Sequence, residues 1–296
     1  MIDGDGTPLH IVQATPATLA VQYAAAGVAG DPGVVTVTIT RRDGTALVTA
    51  GATGGTDTDP RTYALSAAQT ATLDALTAVW HSATLGDLTT RAEIVGAPLF
   101  TVAQARAFGK GSLADGTKYP ESAILAARAR ILDDFRQVCG VAFVPRAARV
   151  ELDGDGSPAL RLGELYIRRI VAVEYRAYGS ASYAAVSGAE LAGIVIAPGG
   201  VALKVDGSYW LAGRRNYRIA FEYGYDAPPL AVQRAALTLA TSQLVPSDFN
   251  ERATAQTNEL GTFRLAVAGW RDRSYYGIPS VDAVLARYDE TVPGIG

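Results

Sequence analysis

Apolar and polar side chains alternate with period two through the first hundred residues. Thr18-Leu-Ala-Val-Gln-Tyr23 places every second side chain on one face, as a strand half covered by a core requires. Gly30-Asp-Pro-Gly33 reads as a turn, and Val34-Val-Thr-Val-Thr-Ile-Thr40 as the next strand. Asp43-Gly44 is a hairpin signal leading into Ala46-Leu-Val-Thr49. The Gly-, Thr- and Asp-rich run from Gly51 to Pro60 predicts a surface loop. Strands follow at Arg61–Leu65, at a segment ending near Val79-Trp80, and at Thr89–Val95.

Roughly seven short strands at this spacing predict an immunoglobulin-like β-sandwich over residues 1–97, with Trp80 as its core aromatic. Gly96-Ala-Pro98 then marks a boundary, after which the period changes from two to 3.6. Thr101 is placed to cap a short helix, Val102–Phe108, which exits into the loop Gly109–Gly116. Pro120 suits the first turn of a long helix ending at Cys139 and broken by Gly140. Its stripe is Ile124, Leu125, Ile131, Leu132, Phe135 and Val138, with most charges off it. Residues 147–223 return to β structure, including long alternating strands at Tyr166–Arg176 and Tyr217–Tyr223. After the double proline Pro228-Pro229 an alanine-rich helix runs to Val245, apolar on most sides and so expected between neighbours. Residues from Pro246 to about Glu259 read as a polar loop or arm, and a last helix, Val281–Tyr288, as capped by Ser280. The fold class expected is α+β: a β domain over 1–97, then a helical domain over 98–296 with a β-rich insertion.

Composition narrows the function. With 49% hydrophobic and 19% charged residues in 296, the chain can bury a core and is not disordered throughout. A net charge of −3 gives no footprint for gripping nucleic acid, though DNA can pass nearby without being held. A single cysteine, Cys139, precludes an internal disulfide and reads as a small buried filler. No apolar run approaches the ~20 residues of a membrane span, and Met-Ile-Asp-Gly-Asp-Gly lacks the basic and apolar regions of a signal peptide. Synthesis in the cytoplasm and no membrane partner are expected.

Motifs for chemistry are weak. Asp153-Gly-Asp-Gly-Ser-Pro with Glu164 has calcium-loop spacing, but Pro158 stands where that loop needs glycine, so a β-turn is expected. Asp3-Gly-Asp-Gly6 is weaker still. Phe108-Gly-Lys-Gly-Ser112 lacks the upstream glycine of a phosphate loop. His10 and His81 carry no adjacent nucleophile pattern, and no pair of carboxylates stands out. No catalytic residue, metal or cofactor is expected. Fourteen tyrosines, clustered at Tyr217, Tyr223, Tyr225 and Tyr275-Tyr276, suit both half-buried strands and protein interfaces.

The order helix, Gly140-Val-Ala-Phe-Val-Pro-Arg146, β insertion, strand ending Gly224-Tyr-Asp-Ala-Pro-Pro229, helix resembles the head–tail connector (head-completion adaptor) family of long-tailed bacteriophages over about residues 100 to 290. The resemblance implies a structural protein of the virion neck, without enzymatic activity. It implies a ring, typically of twelve copies, beneath the portal, extending the DNA channel and receiving stopper and tail-terminator proteins. Ring contacts would involve the two long helices and their charges Arg128, Arg130, Asp133, Asp134, Arg136 and Arg234. Residues 246–296 would form a portal-docking arm with Phe263, Trp270, Tyr275, Tyr276 and Tyr288. The N-terminal β domain departs from the minimal pattern and looks like decorations of phage structural proteins. A second hypothesis is a tail-side or surface-binding protein whose β domain recognises carbohydrate, which exposed aromatics on one face of that domain would favour, yet it holds few: Tyr23, Tyr63 and Trp80. A β-rich hydrolase is disfavoured by two histidines and no nucleophile motif.

Overall fold

The computed structural model describes residues 8–25, 28–56, 58–245, 255–258, 261–264 and 275–289. In chain order the elements begin with β1 (Leu9–Val12), β2 (Ala17–Val21), β3 (Ala24–Ala25), β4 (Val28–Ala29), β5 (Val35–Arg41), β6 (Ala46–Ala52), β7 (Arg61–Leu65), β8 (Asp74–Ser82) and β9 (Leu88–Val95). Helices α1 (Val102–Ala107) and α2 (Glu121–Cys139) come next. Then come β10 (Arg146–Gly154), β11 (Ala159–Arg161), β12 (Ile167–Tyr175), β13 (Ala184–Ala185), α3 (Gly188–Ala192), β14 (Ile194–Ala197), β15 (Val201–Lys204) and β16 (Gly213–Tyr223). The chain closes with α4 (Leu230–Leu244), a hairpin of β17 (Ala255–Asn258) and β18 (Gly261–Arg264), and α5 (Pro279–Tyr288). The class is α+β. The chain divides into a β unit, Met1–Pro98 with Val144–Ala227, and a helical unit, Leu99–Phe143 with Pro228–Gly296.

In the first part of the β unit, a five-stranded sheet runs in the order β1-β9-β8-β5-β6, and a smaller pair, β2-β7, accompanies it. Alternation dictates the core. Val37 and Ile39 of β5, Leu76, Ala78 and Trp80 of β8, and Ile94 of β9 are buried together with Leu19 and Val21 of β2 and Leu65 of β7. Burying a side chain of this size contributes about 1.5–3 kcal/mol against leaving it in water. The Trp80 indole is fully buried and donates to Thr90 Oγ1 at 3.0 Å, while Tyr23 Oη donates to the Trp80 carbonyl at 3.0 Å. The Asp43-Gly44 turn forms as its residues demand: Gly44 sits at φ +89°, and Asp43 accepts from the Thr45 amide and hydroxyl. Periodicity did not point to β1. It is four residues long and pairs in parallel with β9, some eighty residues away.

The second part of the β unit contains the sheet β10-β16-β12-β13 and a three-stranded sheet β11-β15-β14. Along β16, Tyr217, Ile219, Phe221 and Tyr223 face the core. On the opposite face, register places Glu151, Arg218 and Glu174 in one row across β10, β16 and β12. A buried ion pair joins the two parts. Arg146, first residue of β10, donates Nε to Glu93 Oε1 at 2.9 Å and Nη2 to Glu93 Oε2 at 2.5 Å, beside His10 Nε2 at 3.2 Å. The Asp153–Gly156 segment is a turn, as expected. Asp155 accepts from the Ser157 amide and Asp153 from the Arg215 amide, so both carboxylates are engaged with the backbone. The strands beside that turn do not pair with each other, since β10 joins β16 and β11 joins β15.

In the helical unit, Thr101 and Gln104 form a reciprocal capping box at the start of α1. Pro120 stands at the N-cap of α2, and Gly140 ends that helix at φ +67°, a left-handed conformation that costs glycine nothing. Ile124, Ile131, Leu132 and Phe135 are buried, with Val232, Leu239, Val281 and Leu285 from α4 and α5. Phe143 packs edge-on against Phe135 (6.4 Å between ring centres) and Tyr288 (5.4 Å). The last helix starts earlier than its sequence suggested. Its cap is Ile278, with Pro279 at the first position and no side-chain cap, so Ser280 lies inside the first turn. Buried Asp282 instead reaches back to the segment entering the helix, accepting from the Tyr276 amide at 3.0 Å and the Gly277 amide at 3.1 Å. The stretch read as a loop to Glu259 contains strand β17, which pairs with β18.

Candidate interaction surfaces

The two segments that carried the family resemblance occupy matching positions in the chain. Gly140–Arg146 spans the crossing from the helical to the β unit, between Phe143 and Val144. Gly224–Pro229 spans the return, between Ala227 and Pro228. Their residue types answer to this. Gly140 and Gly224 take positive φ, Phe143 enters the helical core, Arg146 enters the β core, and the double proline ends the strand before α4.

The six charges expected at ring contacts differ in their surroundings. Arg128 is turned inward, donating Nη1 to the Phe100 carbonyl at 3.0 Å, and burial lowers its pKa from the usual arginine value. Asp133, Asp134 and Arg136 are half-buried, whereas Arg130 on α2 and Arg234 on α4 are exposed. Of the docking set, Trp270 lies outside the described residues, and Phe263 lies in β18, of which only the backbone is described. Tyr275 Oη donates to Asp289 Oδ2 at 3.0 Å, the Tyr276 ring packs tilted at 6.0 Å from Phe135, and Tyr288 meets Phe143. Burial raises the Tyr276 hydroxyl above the usual tyrosine value. Cys139 is buried, its thiol pushed up to about 12 by desolvation and by Asp289, so it stays protonated. In the N-terminal part Tyr23 and Trp80 are buried and Tyr63 is half-buried, so none of these three aromatics offers an open platform for a sugar ring.

Two surfaces of the β unit were not found from the sequence. The first is the outer face of β10-β16-β12. Arg149 Nη2 donates to both Glu174 oxygens at 2.9 Å, Arg218 bridges Glu151 (2.8 Å) and Glu174 (3.4 Å), and Arg215 reaches Glu151 at 2.5 Å. Tyr183 carries the Arg218 guanidinium 3.9 Å above its ring. These surface pairs, half-buried except at Arg215, are worth little each but cover the sheet with matched charge. The second is a groove of 870 Å³ with Tyr175, Tyr217, Lys204 and Glu190 in its walls and Tyr209 and Leu211 at its rim. No single segment of the sequence signals the groove, because its lining is spread from Tyr175 to Tyr217.

No protein-family model matches the chain, and no curated protein matches its sequence. Among solved structures it is similar to a chain in the neck of an empty GTA particle computed with C6 symmetry, at 16% identity and TM-score 0.42, over 64% of this chain and 89% of that one. It is similar to a chain in the neck of a native GTA particle computed with C12 symmetry, at 14% identity and TM-score 0.39, over 64% and 92%. A third likeness, from the virion of a native gene transfer agent particle, has 13% identity and TM-score 0.37, over 57% and 77%.

Proposed function

We propose that this chain is a structural, non-enzymatic virion protein of a tailed, phage-like particle: a head-to-tail adaptor at the neck. In this reading copies of the chain form a ring, of twelve in the family it resembles, beneath the portal. The ring extends the channel for double-stranded DNA and receives the stopper and tail-terminator proteins. The observation that carries the reading is the coincidence of the two motif segments with two crossings between units. The helices α1, α2, α4 and α5 make one unit around a long β insertion, which is the order the resemblance implies. A net charge of −3 is compatible with a channel that lets DNA slide.

The finer assignments belong to the same proposal. Residues 1–97 are an immunoglobulin-like domain, supported by the sheet order β1-β9-β8-β5-β6 with β2-β7 apart, in which the first strand runs parallel to the last. Arg130 and Arg234, exposed on α2 and α4, are the members of the predicted set best placed for ring contacts. Residues 246–296 act as the portal-docking arm, with α5 tethering it. The test is mass by light scattering and shape by negative-stain microscopy, with and without the portal of the same particle. A ring of about a dozen copies is expected; a chain that stays monomeric and ignores the portal overturns the proposal.

A further inference from the structure

Apolar surface is left open most densely at one place in the β unit. Val205, Tyr209 and Leu211 are 59, 56 and 54% exposed within seven consecutive residues. Tyr209 and Leu211 line the 870 Å³ groove, and Val205 sits between its lining residues Lys204 and Asp206. Their backbone is held on several sides. Trp210 exchanges hydrogen bonds with Gly156 and Ser157 at 2.8 Å each, the Leu211 amide donates to Tyr217 Oη at 3.0 Å, and buried Asn216 donates to the Leu211 carbonyl at 2.8 Å. Trp210 itself is fully buried. A rim fixed at its backbone with apolar side chains in solvent loses little entropy when covered.

The groove also has a charge. Lys204 Nζ lies 2.7 Å from Glu190 Oε1 and 4.9 Å from the Trp210 ring centre, so its charge is met inside the wall. Asp206 is exposed at the rim, its Oδ1 accepting from the Ser208 amide and hydroxyl. An occupant that fits brings one apolar side chain and a positive charge beside it.

The helical unit carries that combination. Among its described residues, Leu230 is the large hydrophobic left exposed, at 72%. Arg234, one turn on and on the same helix face, is exposed and has no ion pair to another described residue. The N-terminus of α4 has no acidic residue in its first turn and no side-chain cap, so its open amides add positive potential. We propose that the groove receives Leu230 of a second copy of this chain, with Arg234 and the N-terminal end of α4 set against Asp206. Two different surfaces meet, so the contact is head-to-tail and able to close a ring. It rests on the adaptor reading and names where one copy grips the next.

The test pairs Leu230→Cys with Tyr209→Cys in the full chain, buried Cys139 left in place, under conditions where light scattering shows wild-type rings. Oxidation is expected to give a ladder of linked multimers on a non-reducing gel, absent from either single variant. Arg234→Asp and Asp206→Arg should each raise the concentration for half-assembly about tenfold, and the double reversal should recover most of the loss. Each variant should melt as the wild type does, since all four side chains are exposed. Full-mass rings with no ladder, indifferent to both reversals, overturn the groove contact and leave the adaptor reading standing. A wild-type chain monomeric with and without portal overturns the adaptor reading, and the groove contact with it.

Discussion

The two parts of the β unit treat their apolar side chains in opposite ways. Residues 8–98 turn Trp80, Tyr23, Ile39 and Leu76 into one shared core and, among the described residues, leave only Leu9 and Val34 of the large hydrophobics well exposed. Residues 144–227 build equally dry positions around Trp210, Tyr217 and Phe221, yet leave Tyr166, Val171, Tyr178, Val195, Val205, Tyr209 and Leu211 in solvent. Charge divides the same way. Residues 1–98 hold nine Asp and Glu against four Arg, whereas residues 144–227 hold nine acids against ten bases, nine of them arginine. Exposed tyrosine with arginine is the composition of protein contacts. The first part is finished when it folds, and the second is finished when something covers it.

The largest test of that contrast breaks the link between the parts. Arg146 and Glu93 are both buried, and removing one partner strands the other's charge in the core. Arg146→Ala should cost about 3–5 kcal/mol, whereas replacing both by apolar residues of similar volume should cost much less. Denaturant unfolding of the two variants checks this. Equal losses would mean that the pair's geometry, not its charge, matters. Next, Trp80→Ala should cost about 3–5 kcal/mol, because it opens a cavity in the sandwich and leaves Thr90 without its indole donor.

Much of this architecture was written in local pattern. Strands β2 and β5 to β9 came from period-two alternation and turn residues, α1 and α2 from boundaries at Thr101, Pro120 and Gly140, and α4 from its apolar run after Pro229, whereas β3 and β4 were not read. What escaped was non-local. Strand β1 gains its place from β9, and Arg146 is explained by Glu93, fifty-three residues earlier. The groove is assembled from residues 175, 184–190, 204–211 and 217, none of which announces it alone. Ser280 had the right chemistry for a cap, but Pro279 is better suited to open the helix, and Asp282 holds the entering segment through the amides of Tyr276 and Gly277.

A smaller effect should track pH on the charged sheet face. Arg218 donates to Glu151, and Arg215 lies beside it, so the Glu151 carboxyl is held below its ordinary value of 4.5. A carboxylate lowered by folding adds stability that is present above its unfolded value and lost as pH falls through the folded one. Melting temperature should therefore decline as pH drops below about 4.5, and Glu151→Gln should flatten part of that decline. An unchanged acid limb in the variant would remove Glu151 from the account. The carboxylate lies half-buried at the surface, where water screens its ion pairs, so this effect ranks below either core substitution.

The smallest expected effect is also the sharpest contrast with Trp80. Tyr178 stands fully exposed in the turn between β12 and β13. Its side chain contributes nothing to a core, so Tyr178→Ser should change folding stability by less than about 0.5 kcal/mol. Melting and assembly measured on the same sample separate the two uses an aromatic residue can have. Unchanged melting with weakened assembly places Tyr178 on a contact surface of the insertion. A loss of stability near that of Trp80→Ala would mean that this end of the insertion is packed, and the contrast between the two parts would fail.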